Sequence, residues 1–172
     1  VTGGSLAWPG DPDLEALIQQ PGNTNNATVI EFEFTPFVDQ IQFNYIFASY
    51  EYPEFVCLFA DTFAFILSGP GISNTNDYDH DANPATPDLT LDLGGLNIAL
   101  VPGTNTPVSP SNVHNEFDMN GNSNCNPGDL GEFAFSTFYD ATNSLPNIPG
   151  DILVDGRTRI LTAQADVIPG QV

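Results

Sequence analysis

The side chains best equipped for chemistry in this chain are oxygen donors at alternating positions in two Asp- and Asn-rich stretches. The first reads Asp77-Tyr78-Asp79-His80-Asp81-Ala82-Asn83 and runs on to Asp88. Oxygens at Asp77, Asp79, Asp81 and Asn83 can curl around one hard cation. Asp88 stands twelfth from Asp77, where a calcium loop places its closing carboxylate. The second stretch repeats the arrangement with Asp118, Asn120, Asn122, Asn124 and Asn126, and Asp129 is again twelfth. Both stretches depart from the EF-hand pattern. Ala82 or Ser123 takes the sixth place instead of Gly, and Asp closes the loop instead of Glu. No helical pattern flanks either one. The likeness is therefore one of ligand chemistry, with Ca2+ as the expected cation. The competing reading is a solvated turn whose Asp and Asn side chains cap nearby backbone N–H groups.

A third acidic group is Glu51, Glu54 and Asp61, beside Tyr50, Tyr52 and Phe55. A carboxylate pair near aromatic rings is the equipment of a glycoside hydrolase. The alternative is a Pro53-fixed loop whose carboxylates bind backbone amides or a structural cation. His80 and His114 are the only histidines, and no nucleophile-elbow motif accompanies them. Gly69-Pro70-Gly71 and Gly94-Gly95 lack the spacing and the Lys of a phosphate loop. Asn26-Ala27-Thr28 is a lone glycosylation sequon. Catalysis is not expected.

The charge balance narrows the partners. The chain has 22 acidic and 2 basic residues among 172, a formal net charge of −20. Nucleic acid and anionic membrane surfaces require a basic patch, and only Arg157 and Arg159 exist to build one. No apolar run approaches the ~18 residues of a membrane span. With so few cations, the carboxylates repel one another unless salt or bound metal offsets them. Cys57 and Cys125 are the only cysteines. Free buried thiols and a disulfide both fit the count. We favour the disulfide, which would close a loop of 67 intervening residues, worth ~4 kcal/mol on the chain-entropy model. That choice places the chain outside the cytoplasm.

The elements that must position these groups read mostly as strands. Asp11-Pro12-Asp13-Leu14-Glu15-Ala16-Leu17-Ile18 is the exception, a short helix with Asp11 as N-cap and Pro12 at the first helical position. Pro21-Gly22 stops it. Beyond it the period becomes two. Ile30, Phe32 and Phe34 alternate with Glu31 and Glu33, and Ile41, Phe43, Tyr45 and Phe47 alternate with polar residues. Residues 62–68 and 96–101 read as more buried strands, and 132–139, 151–154 and 157–165 as further ones. The expected core holds Phe32, Phe34, Phe43, Tyr45, Phe63 and Phe65. Residues 73–92 and 109–131 read as long polar loops. Short strands between Gly, Pro, Asn and Asp clusters predict a single all-β domain over 1–172. The fold class expected is an antiparallel β-sandwich, jelly-roll-like, with one short N-terminal helix and long acidic loops.

Five segments carry a family resemblance. Gly10-Asp11-Pro12-Asp13-Leu14, Ser49-Tyr50-Glu51-Tyr52-Pro53-Glu54-Phe55-Val56-Cys57, Phe65-Ile66-Leu67-Ser68-Gly69-Pro70-Gly71-Ile72, Asn97-Ile98-Ala99-Leu100-Val101-Pro102-Gly103-Thr104, and Val154-Asp155-Gly156 through Leu161-Thr162-Ala163 occur in this order. Together they resemble the choice-of-anchor L domain of secreted and surface proteins of bacteria. The resemblance implies an extracellular β-sandwich and no reaction. Tyr50 stands where family members usually carry Glu, which weakens a cation site in that segment. The resemblance also implies strands before Val1 and after Val172. A sandwich without them exposes an open edge and an apolar groove, which a neighbour's strand can fill.

These readings lead to an extracellular, non-enzymatic adhesion or structural module of the cell surface, stabilised by calcium. Its expected partners are a surface, a matrix or subunits of the same type. Nucleic acid and membrane insertion are excluded from that expectation. The alternative is a subunit of an extracellular filament, a homopolymer joined by strand complementation. A glycoside hydrolase is the remote third.

Overall fold

A computed structural model describes residues 8–19, 22, 24–52, 56, 61–83, 85–114, 135–140 and 154–172. It is all-β and antiparallel, with a single short helix among the described residues. Helix α1 (Pro12–Leu17) forms where the capping residues place it. Asp11 Oδ1 accepts from the N–H groups of Asp13 and Leu14 at 3.0 and 3.1 Å. These are two of the donors that a helix start leaves without partners. Thr24 ties the cap down: its Oγ1 accepts from Asp11 N–H at 2.9 Å and donates to Glu15 Oε1 at 2.9 Å. Glu15 also accepts from Gly22 N–H, and this bond with the Thr24 hydroxyl holds its carboxyl below the usual glutamate range. Any side chain on Gly10 would overlap Thr24, so this close approach demands glycine. Leu17 is the buried face of the helix and packs with Tyr78 and Leu93.

The longest pairing joins β1 (Gln40–Tyr45) to β8 (Leu161–Asp166), in the register Ile41↔Ala165, Phe43↔Ala163 and Tyr45↔Leu161. Leu161, Ala163 and Ala165 are buried and alternate with Thr162, Gln164 and Asp166. The small Ala163 and Ala165 lie opposite large partners. On that same face, Phe43, Tyr45 and Phe47 meet Phe63 and Phe65. Phe43 and Phe65 cross edge-to-face at 4.8 Å, and Phe47 stacks on Phe63 at 5.2 Å. Aromatic pairs of this geometry add ~0.5–1.5 kcal/mol beyond their burial.

β2 (Ala48–Ser49) pairs with β7 (Gly156–Arg157), and β3 (Ile66–Leu67) pairs with β6 (Leu96–Asn97). β4 (Thr75–Tyr78) and β5 (Leu89–Asp92) make a hairpin. A 3-10 turn covers Ser136–Phe138. The described strands form four two-stranded ladders. The main core gathers Phe47, Tyr52, Val56, Val101, Val108, Val113, Tyr139 and Leu161. Tyr52 is wholly buried and donates to Val113 O at 2.6 Å. Its ring lies against Gly156, where an added Cβ would overlap it.

Five expectations are corrected. Residues 28–34 keep their alternation but form no strand, and Ile30 and Phe32 are 83 % and 79 % exposed. A strand needs a hydrogen-bonded neighbour, and no described segment supplies one. Of the expected core, Phe32, Phe34 and Phe43 are exposed, while Tyr45, Phe63 and Phe65 are half-buried. Residues 73–92 are not an open loop, because β4 and β5 pair within them. The strand expected over 62–68 is confined to Ile66–Leu67, and the described part of 132–139 is the 3-10 turn and a bridge from Tyr139 to Thr158.

Candidate functional site

Three places hold the chemistry that the sequence singles out, beginning with the β4–β5 hairpin. Tyr78 points inward, and its hydroxyl accepts from Asn97 N–H at 2.9 Å. Alternation then turns Asp77 outward, where Thr90 donates to its Oδ1 at 2.6 Å. Asp79 Oδ2 accepts from Thr106 Oγ1 at 3.1 Å, and Asp88 Oδ2 accepts from Asn105 Nδ2 at 2.6 Å. The same amide nitrogen donates to Asp77 O at 3.3 Å. Asp81 Oδ1 caps Asn83 N–H, and Asn83 Oδ1 caps Ala85 N–H. The fold thus brings Asp77, Asp79 and Asp88 around Asn105 and Thr106, while Asp81 and Asn83 act as Asx caps within their own turn. Each of the four Asp side chains accepts a protein donor. Among the described residues, no group of three or more His, Cys, Asp and Glu is arranged to hold a metal ion. The second stretch, with Asp118, Asn120, Asn122, Asn124 and Asp129, lies outside the described residues, as do Cys57 and Cys125.

The second place is the turn after β2. Ser49 Oγ donates to Asp61 Oδ2 at 2.7 Å and accepts from Glu51 N–H at 2.9 Å. Glu51 Oε2 accepts from Asp61 N–H at 2.6 Å. Ser49 Oγ thus sits between the Asp61 carboxylate and the Glu51 backbone N–H. Burial pushes Glu51 up to about 7, helped by the charge of Asp61 and opposed by the N–H bond from Asp61. A carboxyl titrating near neutrality is what an acid catalyst needs, but such pairs also form in turns. Here both carboxylates are spent on closing the turn. Glu54 lies outside the described residues.

The third place is an apolar groove, which the family resemblance implies but no residue pattern locates. A groove of about 700 Å³ runs beside residues 30–34, with Phe32, Phe34, Phe43, Phe65 and Ile168 among its walls. Glu31 and Glu33 also line it. Apart from that groove, Phe37 is 95 % exposed and Val38 61 %. An exposed apolar surface of this kind marks an interaction site more often than a defect. The groove's sequence signal is the alternation of residues 28–34, with no partner strand among the described residues to bury Ile30, Phe32 and Phe34.

The choice-of-anchor L domain model matches residues 1–172. The chain belongs to this family. No curated protein and no solved structure matches it. Choice-of-anchor domains occur in secreted and cell-surface bacterial proteins, so the chain is a surface-associated module of that kind. Many family segments of this choice-of-anchor L domain have structural tasks here. Asp11 caps α1, Asn97 Oδ1 accepts from Phe65 and Ala99 N–H, and Gly156 admits the Tyr52 ring. Residues 65–72 do something different: most of them wall the groove. Among the described residues, no helix is long and apolar enough to cross a membrane.

Proposed function

We propose that this choice-of-anchor L domain is an extracellular, non-catalytic adhesion module that holds a partner against its apolar groove. The observation that carries this reading is the exposed row Ile30, Phe32 and Phe34 beside an open groove. Leaving two phenylalanines and an isoleucine in water costs apolar burial of ~1.5–3 kcal/mol each, which a bound partner would recover. The acidic groups favour this reading over hydrolysis, because Glu51 and Asp61 close a turn and neither lines the groove.

Beads coated with the chain should attach to a surface carrying the partner, and an Ile30→Ser, Phe32→Ser variant should lose that attachment while keeping its melting temperature. Equal attachment by both proteins would end the reading. A second reading, a filament subunit joined by strand exchange between copies, draws on the unpaired residues 28–35. Negative-stain microscopy separates the two: ordered fibres support the filament, and single particles the adhesion module.

Calcium stabilisation belongs to the same proposal. Its support is the net charge of −20, which two basic residues cannot offset. Millimolar Ca2+ should raise the melting temperature above the value in sodium chloride of equal ionic strength. An equal rise in both salts would assign the effect to screening and remove calcium from the account.

A further inference from the structure

We propose that the groove receives an extended strand from a different protein, one that alternates apolar with basic residues and pairs with residues 28–35. This rests on the adhesion reading and names the chemistry of its partner. The first observation concerns the backbone. Residues 28–35 run without helix, turn or bend, and their N–H and C=O groups make no hydrogen bond among the described residues. The Phe32 and Phe34 ring centroids lie 6.2 Å apart, the spacing of i and i+2 neighbours on one face of an extended chain. On either side the backbone is engaged: Ala27 N–H donates to Pro9 O, and Pro36 O accepts from Gly170 N–H. An eight-residue stretch of strand-like backbone thus stands ready to pair between two fixed ends.

The second observation concerns charge. Ile30, Phe32 and Phe34 share one side and Glu31 and Glu33 the other, and all five line the groove. No Lys or Arg lines it. In an antiparallel or parallel pair, residues directly opposite share a face. A guest strand therefore places its apolar residues opposite Ile30, Phe32 and Phe34, and its alternate residues opposite the two carboxylates. Basic residues are favoured there, and acidic ones repelled.

A second copy of this chain is a poor occupant. It brings a charge of −20 and only two cations. Arg157 is already held by Asp140, Nη2 to Oδ2 at 2.9 Å. Arg159 follows two residues on, in a β7–β8 connection rather than in an alternating basic strand. Pairing of residues 28–35 with the same segment of a second copy would oppose Glu31 and Glu33 to carboxylates. The partner is thus a basic strand of another chain, bound by edge addition.

The test uses the full chain and three synthetic peptides. One alternates valine with lysine, one has the same composition with the valines and lysines in separate blocks, and one alternates valine with glutamate. Binding is read by fluorescence anisotropy, and pairing by amide hydrogen exchange of residues 28–35. The alternating valine–lysine peptide should bind roughly tenfold more tightly than the blocked one and should slow exchange across residues 29–35. The Glu31→Lys, Glu33→Lys variant should reverse the preference towards the valine–glutamate peptide. Equal binding of both lysine peptides, with exchange unchanged, would reduce the effect to attraction by a net acidic surface and overturn the proposal. A variant with unreversed preference would overturn it as well. If beads still adhere through Ile30 and Phe32 while no peptide binds, the strand proposal falls and the adhesion reading stands. If attachment is also insensitive to Ile30→Ser, Phe32→Ser, both fall. Ordered fibres of the chain alone would assign the groove to a second copy instead.

Discussion

Replacing Tyr52 with Phe removes one hydroxyl and leaves the ring in place. That side chain is wholly buried, and its hydroxyl sits 2.6 Å from Val113 O. Burial raises the phenol far above its usual range, with a smaller contribution from Tyr139, so it is a neutral donor at every physiological pH. A neutral hydrogen bond is worth ~1 kcal/mol net, but leaving a buried carbonyl without its donor brings the cost to ~1–3 kcal/mol. In a chain of this size each kcal/mol moves the melting temperature by ~2–4 °C, so the expected drop is about 2–12 °C. The ring keeps its neighbour Tyr139, at 5.1 Å between centroids, so no cavity term is added. Gly156→Ala attacks the same place from the other side. The new Cβ would overlap the Tyr52 ring, and overpacking of this kind costs ~1–3 kcal/mol. The two changes share one ring and should be non-additive in a double-mutant cycle. Urea unfolding followed by tyrosine fluorescence and far-UV dichroism gives the midpoint and the slope. A Tyr52→Phe protein within ~0.5 kcal/mol of the parent, with an unchanged slope, would refute the claim that this bond fastens residues 109–114 to the β2–β7 ladder.

Three further outcomes are expected. Glu51 titrates near 7 in the folded chain against an ordinary value of 4.5, so folding favours its protonated form. Its contribution to stability is therefore intact at pH 4.5 and is lost as pH rises to about 7; Glu51→Gln should flatten that part of the stability–pH curve, and an unchanged curve would remove Glu51 as its source. Asp11→Ala should cost ~1 kcal/mol and speed amide exchange at Asp13 and Leu14, whereas Asp11→Asn should change neither by much; equal effects of the two would argue against capping. Cys57 and Cys125 should titrate as no free thiol in unreduced, unfolded protein, and two free thiols would show that they are not bonded.

Several elements were legible in residue types alone, because their causes are local. Asp11 before Pro12 specifies a helix start through the geometry of its own first turn. Ile41, Phe43 and Tyr45 specify one face, and the structure sets them against Leu161, Ala163 and Ala165, where the same period recurs. The family was legible too, in segments whose glycines and asparagines have structural tasks. Within the acidic stretch, the spacing of Asp77, Asp79, Asp81, Asn83 and Asp88 described a loop closing on a cation. The backbone instead paired Thr75–Tyr78 with Leu89–Asp92. Pairing sends successive side chains to opposite faces, so Tyr78 went inward and the carboxylates took separate donors.

The periods and the cap follow from residues a few positions apart, and the excess of acid from composition. Which alternating segment becomes a strand depends on contacts across the fold. Residues 28–34 and 40–47 carry the same pattern of apolar and polar residues. β1 has β8 along its edge, so its pattern becomes a ladder with one buried face. Residues 28–34 have no such edge among the described residues, so the same pattern is left lining an open groove. A strand is half of a hydrogen-bonded pair, and the other half is not written in its own residues.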